Sequence, residues 1–143
     1  MKIFTIAIIS FLSLPSHSLA KSFGDYEGAV YVRNYDGDTI TFNLSGLHPI
    51  IGEKISIRVN GIDTPEIKGK CEKEKYGSKQ AQQMVADILK DAEQIALKNM
   101  ERGKYFRIAA DVIVDGESLG SMLVEAGMAI RYDGEKKTHK WCE

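Results

Sequence analysis

Residues 58–66 have the sequence Arg58-Val59-Asn60-Gly61-Ile62-Asp63-Thr64-Pro65-Glu66. Apolar and polar side chains alternate as far as Asn60, which is typical of a strand with one face in a core. Gly61 interrupts this alternation, because Ile62 has the wrong parity for the same face unless the chain bends or bulges there. Pro65 stiffens the turn. The segment predicts a strand ending in a turn that carries two carboxylates and a hydroxyl close to a guanidinium.

The first twenty residues predict a signal peptide. Lys2 gives a positive start, residues 3–14 are an apolar run too short to span a bilayer, and Ser18-Leu19-Ala20 places small residues where a signal peptidase reads. The alternative, an N-terminal membrane anchor, is disfavoured by the short run and the cleavage pattern. We expect residues 21–143 to form one domain, away from the membrane, in a periplasmic or secreted protein.

The charges of the chain are nearly balanced. Lys and Arg number 19 against 20 Asp and Glu, which gives a formal net charge of −1. Removal of residues 1–20, whose only charged side chain is Lys2, changes this to −2. A protein that holds nucleic acid by its overall charge would be basic. Any polyanion site is therefore expected to be local.

Two cysteines, Cys71 and Cys142, lie on either side of most of the domain. In an exported chain an even count favours a disulfide, which would tie the C-terminal tail to the loop after Glu66. The alternative is two free thiols in a reducing compartment. A zinc site is disfavoured, because His48 and His139 lack ligand spacing.

Hydrophobic periodicity predicts three strands, a helix, two strands and a second helix. An Asp36-Gly37-Asp38 turn is expected to join the first two strands as a hairpin. The predicted strands span 29–33, 39–44, 54–60, 94–100 and 106–114. This order fits an α+β fold of the OB class, a five-stranded Greek-key β-barrel with helices.

The two predicted helices are assigned from their caps and apolar spacing. The first is expected at 78–90 with Ser78 as its N-cap, after an exposed loop at 68–75. The second is expected at 118–126, with Gly127 as its C-cap. The tail after Tyr132 shows no periodicity.

Asp38 and Asp63 could hold a hard cation. They lie on separate predicted turns, and oxygen ligands of this kind suit calcium, with the Thr64 carbonyl as a third. The alternative for Asp36-Gly37-Asp38 alone is an ordinary hairpin turn.

Arg58 and Arg107 are the candidate phosphate-binding groups. The planar guanidinium makes bidentate bonds to phosphate and stays charged, which suits a phosphodiester transition state. Glu66 could accept a proton from attacking water or orient that water. Read alone, the two arginines could equally be a solvated strand face and a surface salt bridge.

Four segments together resemble the staphylococcal nuclease (thermonuclease) family. Tyr35-Asp36-Gly37-Asp38-Thr39-Ile40 and residues 58–66 resemble its two signature segments, and Gly103-Lys104-Tyr105-Phe106-Arg107 resembles its third. Val114-Asp115-Gly116 with residues 123–129 resembles its last block. The resemblance covers residues 28–132.

The resemblance implies a calcium-dependent endonuclease on an OB-fold barrel. It would hydrolyse DNA or RNA with little sequence specificity, acting as a monomer and leaving 3′-phosphates. The roles implied by the matching positions are calcium binding by Asp38, Asp63 and the Thr64 carbonyl, transition-state stabilisation by Arg58 and Arg107, and water activation or positioning by Glu66. A non-catalytic oligonucleotide-binding module is the alternative, since this fold also serves binding alone. A calcium-stabilised structural domain would leave the arginines unexplained.

The same resemblance places Lys104 and Tyr105 near the phosphate. Tyr132 is a candidate for base stacking by position, with a capping core aromatic as the alternative. The chain departs from the family at Phe106, where glycine is usual, and this is expected to affect the aim of Arg107. The longer connection at 45–53 is expected to reshape the groove beside Asp38. No terminal helix is expected, and the cysteine pair would anchor the tail instead.

Overall fold

The computed structural model describes residues 22–103 and 107–143. The predicted signal peptide lies outside the described residues, and so do Lys104, Tyr105 and Phe106 with the roles predicted for them. Within the described part, no helix combines the length and apolarity needed to cross a bilayer.

In the described part of the chain, five main strands form the scaffold, and four two-residue strands extend it. The main strands are β2 (Ala29–Asn34), β3 (Thr39–Leu44), β4 (Ile55–Val59), β6 (Ile95–Arg102) and β7 (Ile108–Val114). The short strands are β1 (Tyr26–Glu27), β5 (Ile62–Asp63), β8 (Glu117–Ser118) and β9 (Ile130–Arg131). All five predicted strands are present, with ends shifted by up to two residues.

The strand pairing forms a mixed sheet that curls into a half-barrel, consistent with the predicted OB-type fold. The order along the sheet is β1-β6-β7-β4-β3-β2, and β4 and β7 run parallel while the other neighbours run antiparallel. Its two end strands, β1 and β2, are separated in the chain by Gly28 alone. One N-terminal segment therefore pairs with β6 through its first half and with β3 through its second.

The alternation predicted from the sequence sets the interior of the barrel. Ile40, Phe42 and Leu44 on β3 are buried, as are Ile57 and Val59 on β4. Since every second side chain of a strand points to one face, these residues fill the core.

The bend predicted at Gly61 is present. Strand β4 ends at Val59, Gly61 has a φ of +73°, and Ile62 then returns to the core. Glycine suits this position because other residues are strained at positive φ. Ile62 begins β5, which pairs with β9 and holds Asp63 opposite Ile130.

The first predicted helix begins earlier than expected. Helix α2 spans Glu72–Asp91, and its N-cap is Cys71, whose Sγ accepts from the Glu74 N–H. Ser78 is therefore not the N-cap, and the second half of the loop predicted at 68–75 is wrong, because residues 72–75 are helical. Periodicity missed the first turns because their buried positions carry polar side chains, Glu74 and Ser78. The Ser78 hydroxyl donates to the Lys75 carbonyl at 3.0 Å.

The other local differences are small. Helix α3 spans Leu119–Glu125 with Ser118 as its N-cap, and Gly127 follows at a φ of +71°. Strand β6 continues beyond its predicted end at residue 100 to Arg102, with a register shift between Lys98 and Glu101.

The connection at 45–53 does not adjoin Asp38. It contains a short helix, α1 (Pro49–Gly52), and it follows the last residue of β3, whereas Asp38 precedes the first. The six residues of β3 separate the two ends by about 20 Å. The expected effect on the groove beside Asp38 is therefore wrong.

A disulfide joins Cys71 to Cys142. It links the N-cap of α2 to the penultimate residue of the chain. The tail, residues 133–143, has no helix or strand and is carried back across the barrel to Glu66 and Asp63.

Candidate functional site

A cleft of about 520 Å³ lies where the β2–β3 turn, the end of β4 and the start of β7 come together. It is lined by Tyr35, Asp36, Asp38, Thr39, Arg58, Glu66, Arg107, Tyr132 and Lys137. A second cleft of about 570 Å³ shares Arg58 and Tyr132 with it. The two clefts therefore adjoin at Arg58 and Tyr132 and are together called the groove.

The β2–β3 turn presents Asp38 through hydrogen bonds to Asp36. One oxygen of the buried Asp36 carboxylate accepts from the Asp38 N–H at 3.1 Å and from the Thr39 N–H at 2.8 Å. Burial raises the pKa of Asp36, although the hydrogen bonds with Thr39 oppose this change. The sequence identified Asp36 only as a turn residue; its position beside the site is set by the fold.

Arg58 connects the two predicted metal-binding carboxylates. Its Nη1 contacts Asp38 Oδ1, and its Nη2 lies 3.5 Å from Asp63 Oδ1 and donates to the Ile62 carbonyl at 3.1 Å. Burial lowers the pKa of the guanidinium, and the carboxylates of Asp63 and Asp36 oppose this shift. Arginine stays charged in such an environment, since its ordinary pKa lies far above neutral pH.

Asp63 and Thr64 contain the two buried side-chain oxygens that accept or donate no hydrogen bond among the described residues. These atoms are Asp63 Oδ1 and Thr64 Oγ1. Buried polar atoms normally make hydrogen bonds. Asp63 Oδ1 makes none and has only cations near it, the side chains of Arg58 and Lys137, so this oxygen fits a role as cation ligand. Asp38 Oδ2 accepts one hydrogen bond, from the Thr64 N–H at 3.1 Å, and keeps a second lone pair. The donor set therefore fits a hard cation.

One other cluster of possible metal ligands occurs in the described part of the chain. Cys71, Glu74 and Cys142 each bring one ligand atom within 4.8 Å of the others. Both cysteines are in the disulfide, and thiolate is the form that binds metals. This cluster is therefore a cross-link and not a metal centre.

Glu66 is exposed at the edge of the cleft, on a segment held by helix α2. Glu74 Oε2 accepts from the Lys70 N–H at 2.9 Å, and its Oε1 accepts from the Glu66 N–H at 3.4 Å. The first turn of the helix thus fixes the backbone on either side of residues 67–69.

The tail brings Lys137 into the cleft, which the sequence did not predict. Its Nζ lies 2.7 Å from Asp63 Oδ1 without hydrogen-bond geometry, and it donates to Glu66 Oε1 at 2.9 Å. Burial of the ammonium opposes its charge, but the contacts with both carboxylates outweigh this and raise the pKa of Lys137. Trp141 Nε1 donates to Asp63 Oδ2 at 3.4 Å. In the sequence, the predicted disulfide was the one indication that the C-terminal tail would lie close to the site.

The remaining predicted residues fall in the same region where they are described. Arg107 lines the cleft with Arg58, while the expectation for Phe106 lies outside the described residues. Tyr132 is half-buried and lines both clefts, and its hydroxyl donates to the Glu135 carbonyl.

Comparison with known proteins gives one family. A sequence model of the family described as "Staphylococcal nuclease homologue" matches residues 56–142, which is more than half of the chain. The match contains Arg58, Asp63, Glu66 and Arg107 and begins after Asp38. No curated protein matches the chain. With its OB-type barrel and this match, the chain belongs to the staphylococcal nuclease homologue family, whose function is nuclease activity or nucleic-acid binding.

Proposed function

We propose that the protein is a calcium-dependent nuclease that hydrolyses phosphodiester bonds of DNA and RNA with little sequence specificity and leaves 3′-phosphates. The observation that carries this proposal is the set of side chains in one cleft. Asp38, Arg58, Glu66 and Arg107 line it, and beside them lies Asp63 Oδ1, a buried oxygen with ion-pair contacts but no hydrogen bond. Binding alone would not need these carboxylates and two guanidiniums so close together.

Each side chain has a role that follows from its chemistry. Arg58 and Arg107 would bind the non-bridging phosphate oxygens and stabilise the charge that develops in the transition state. Glu66 would take a proton from the attacking water or orient it. Asp38, Asp63 and the Thr64 carbonyl would hold calcium, which supplies positive charge beside a phosphate oxygen. Tyr132 would stack on a base along the groove.

The test is a cleavage assay on single-stranded DNA and RNA. The protein should cleave both when calcium is added, and a calcium chelator should abolish cleavage. Mass spectrometry of the fragments should identify 3′-phosphate ends. Undiminished cleavage in chelator would remove the calcium assignment, and 5′-phosphate ends would contradict the proposed direction of cleavage.

A second assay separates catalysis from binding. Arg107→Ala should reduce the cleavage rate by about 10²-fold or more, because it removes charge stabilisation of the transition state. Arg33→Ala, which changes an exposed arginine on β2, is the matched control and should cleave like the unmodified protein. Equal rates for both variants would contradict the role of Arg107.

A non-catalytic nucleic-acid-binding module is the second candidate. The observation in its favour is that Lys137 already pairs with Asp63 and Glu66. Oligonucleotide binding without cleavage, at any calcium concentration, would support this candidate over the nuclease.

We also propose that residues 1–20 direct export and that the mature domain starts at Lys21, as the sequence pattern indicates. N-terminal sequencing of the protein from a periplasmic fraction should begin at Lys21. A protein that retains Met1 in the cytoplasm would contradict export.

A further inference from the structure

Lys137 contacts Asp63, one of the residues proposed above to hold calcium. Its ammonium bridges Asp63 Oδ1 at 2.7 Å and Glu66 Oε1 at 2.9 Å. Calcium binds carboxylate oxygens at about 2.3–2.6 Å. Both cations would therefore approach Asp63 Oδ1 at nearly the same distance. This oxygen is buried and already has Arg58 Nη2 at 3.5 Å, so it has little room for both Lys137 and a metal ion.

We propose that Lys137 is an internal competitor of the divalent cation, held at the site by the disulfide-anchored tail. The proposal rests on the calcium site proposed above. Lys137 supplies one positive charge to two carboxylates, whereas a calcium ion supplies two. A bound calcium ion would also repel the ammonium at close range. The lysine must leave Asp63 before the metal binds there, and its departure also frees Glu66 to act on water.

The tail is built to return Lys137 to this position. Cys142 lies five residues further on and is bonded to Cys71. Trp141 donates to the other oxygen of Asp63 at 3.4 Å. A tether this short keeps the local concentration of the ammonium high. Reduction of the disulfide would lower that concentration, so the affinity of the site for calcium would depend on the redox state of the cysteine pair.

Isothermal titration of calcium into the protein tests the competition without using activity. The unmodified protein and its variants are each purified for this titration after expression of the full chain. Lys137→Met should bind calcium roughly five- to tenfold more tightly than the unmodified protein, because one ion pair no longer has to be broken. Calcium should also raise the Tm of this variant by more than it raises that of the unmodified protein.

Lys136→Met is the matched control, since Lys136 is the exposed neighbour on the same tail. It removes the same charge from the protein and should leave calcium affinity unchanged. Equal affinities for Lys137→Met and the unmodified protein would overturn the proposal, and so would an equal gain in Lys136→Met. If neither variant nor the unmodified protein binds calcium, the proposed calcium site fails and the competition fails with it.

A longer tether tests the anchoring. Insertion of Gly-Ser-Gly-Ser between Thr138 and His139 keeps the disulfide but loosens Lys137. Calcium affinity should rise toward that of Lys137→Met, and reduction of the unmodified protein should have the same effect. An insertion variant with the affinity of the unmodified protein, next to a tighter Lys137→Met, would overturn the role of the tail.

Discussion

Arg58 supports two buried carboxylates at once. One nitrogen contacts Asp38, and the other lies near Asp63 while it donates to the Ile62 carbonyl. A planar fork directs two separate nitrogens at these partners, whereas a lysine ammonium is a single point charge. Arg58 is thus both a support of the site and a candidate phosphate ligand. The supporting role of Arg58 could not be predicted from the alternation of side chains on β4, because Asp38 and Asp63 lie on turns outside this strand.

Arg58→Lys should reduce the cleavage rate by about 10²-fold or more while the charge of the side chain is kept. The physical reason is the loss of the second nitrogen, so Asp38 and Asp63 are no longer held by the same group. Initial rates on single-stranded DNA measure the effect, and circular dichroism checks the fold. Arg33→Lys on the exposed face of β2 is the control. A variant that retains most of its rate would show that charge alone suffices at residue 58.

Helix α2 carries the segment on which Glu66 lies. Its first turn places Glu74 under the loop, where both oxygens accept from backbone N–H groups. The Cβ that an alanine would add at Gly69 would lie 2.5 Å from Glu74 Cγ, so the two are closely packed. A polar buried face of this kind does not follow the apolar periodicity from which helices are predicted. This is why the helix extends six residues before its predicted start.

Glu74→Ala should lower the free energy of unfolding by about 1–3 kcal/mol, because it leaves the Lys70 N–H without its acceptor. Cleavage should also slow as Glu66 loses its support. Urea unfolding and initial rates measure the two effects. Glu72→Ala is the matched control, since Glu72 lies on the same helical turn with its side chain 91% exposed. Glu74→Gln should recover part of the lost stability. If Glu74→Ala is as stable as Glu72→Ala, the supporting role of Glu74 is contradicted.

For the whole molecule, the barrel was more predictable than the site. The five strands followed from alternation, because Ile40, Phe42, Ile57 and their neighbours face one core. The order of the main strands and helices along the chain, and the OB class, also agree with the prediction. Lys137 and Trp141 could not be predicted in the site, since the tail has no periodicity and its path depends on a cross-link far away in sequence. The predicted disulfide indicated where the tail ends, but it did not indicate which residues the tail contacts on the way.

Replacement of both cysteines by serine, Cys71→Ser with Cys142→Ser, should lower the free energy of unfolding by about 2–4 kcal/mol. The cross-link spans 71 residues, and a loop of that length restricts the unfolded chain strongly. Serine is the informative choice, because it can still accept from the Glu74 N–H as the N-cap of α2. Urea unfolding of the two proteins measures the difference. A reducing agent should lower the free energy of unfolding of the unmodified protein and leave that of the double variant unchanged. Equal urea midpoints of the two proteins under oxidising conditions would show that the cross-link adds no stability.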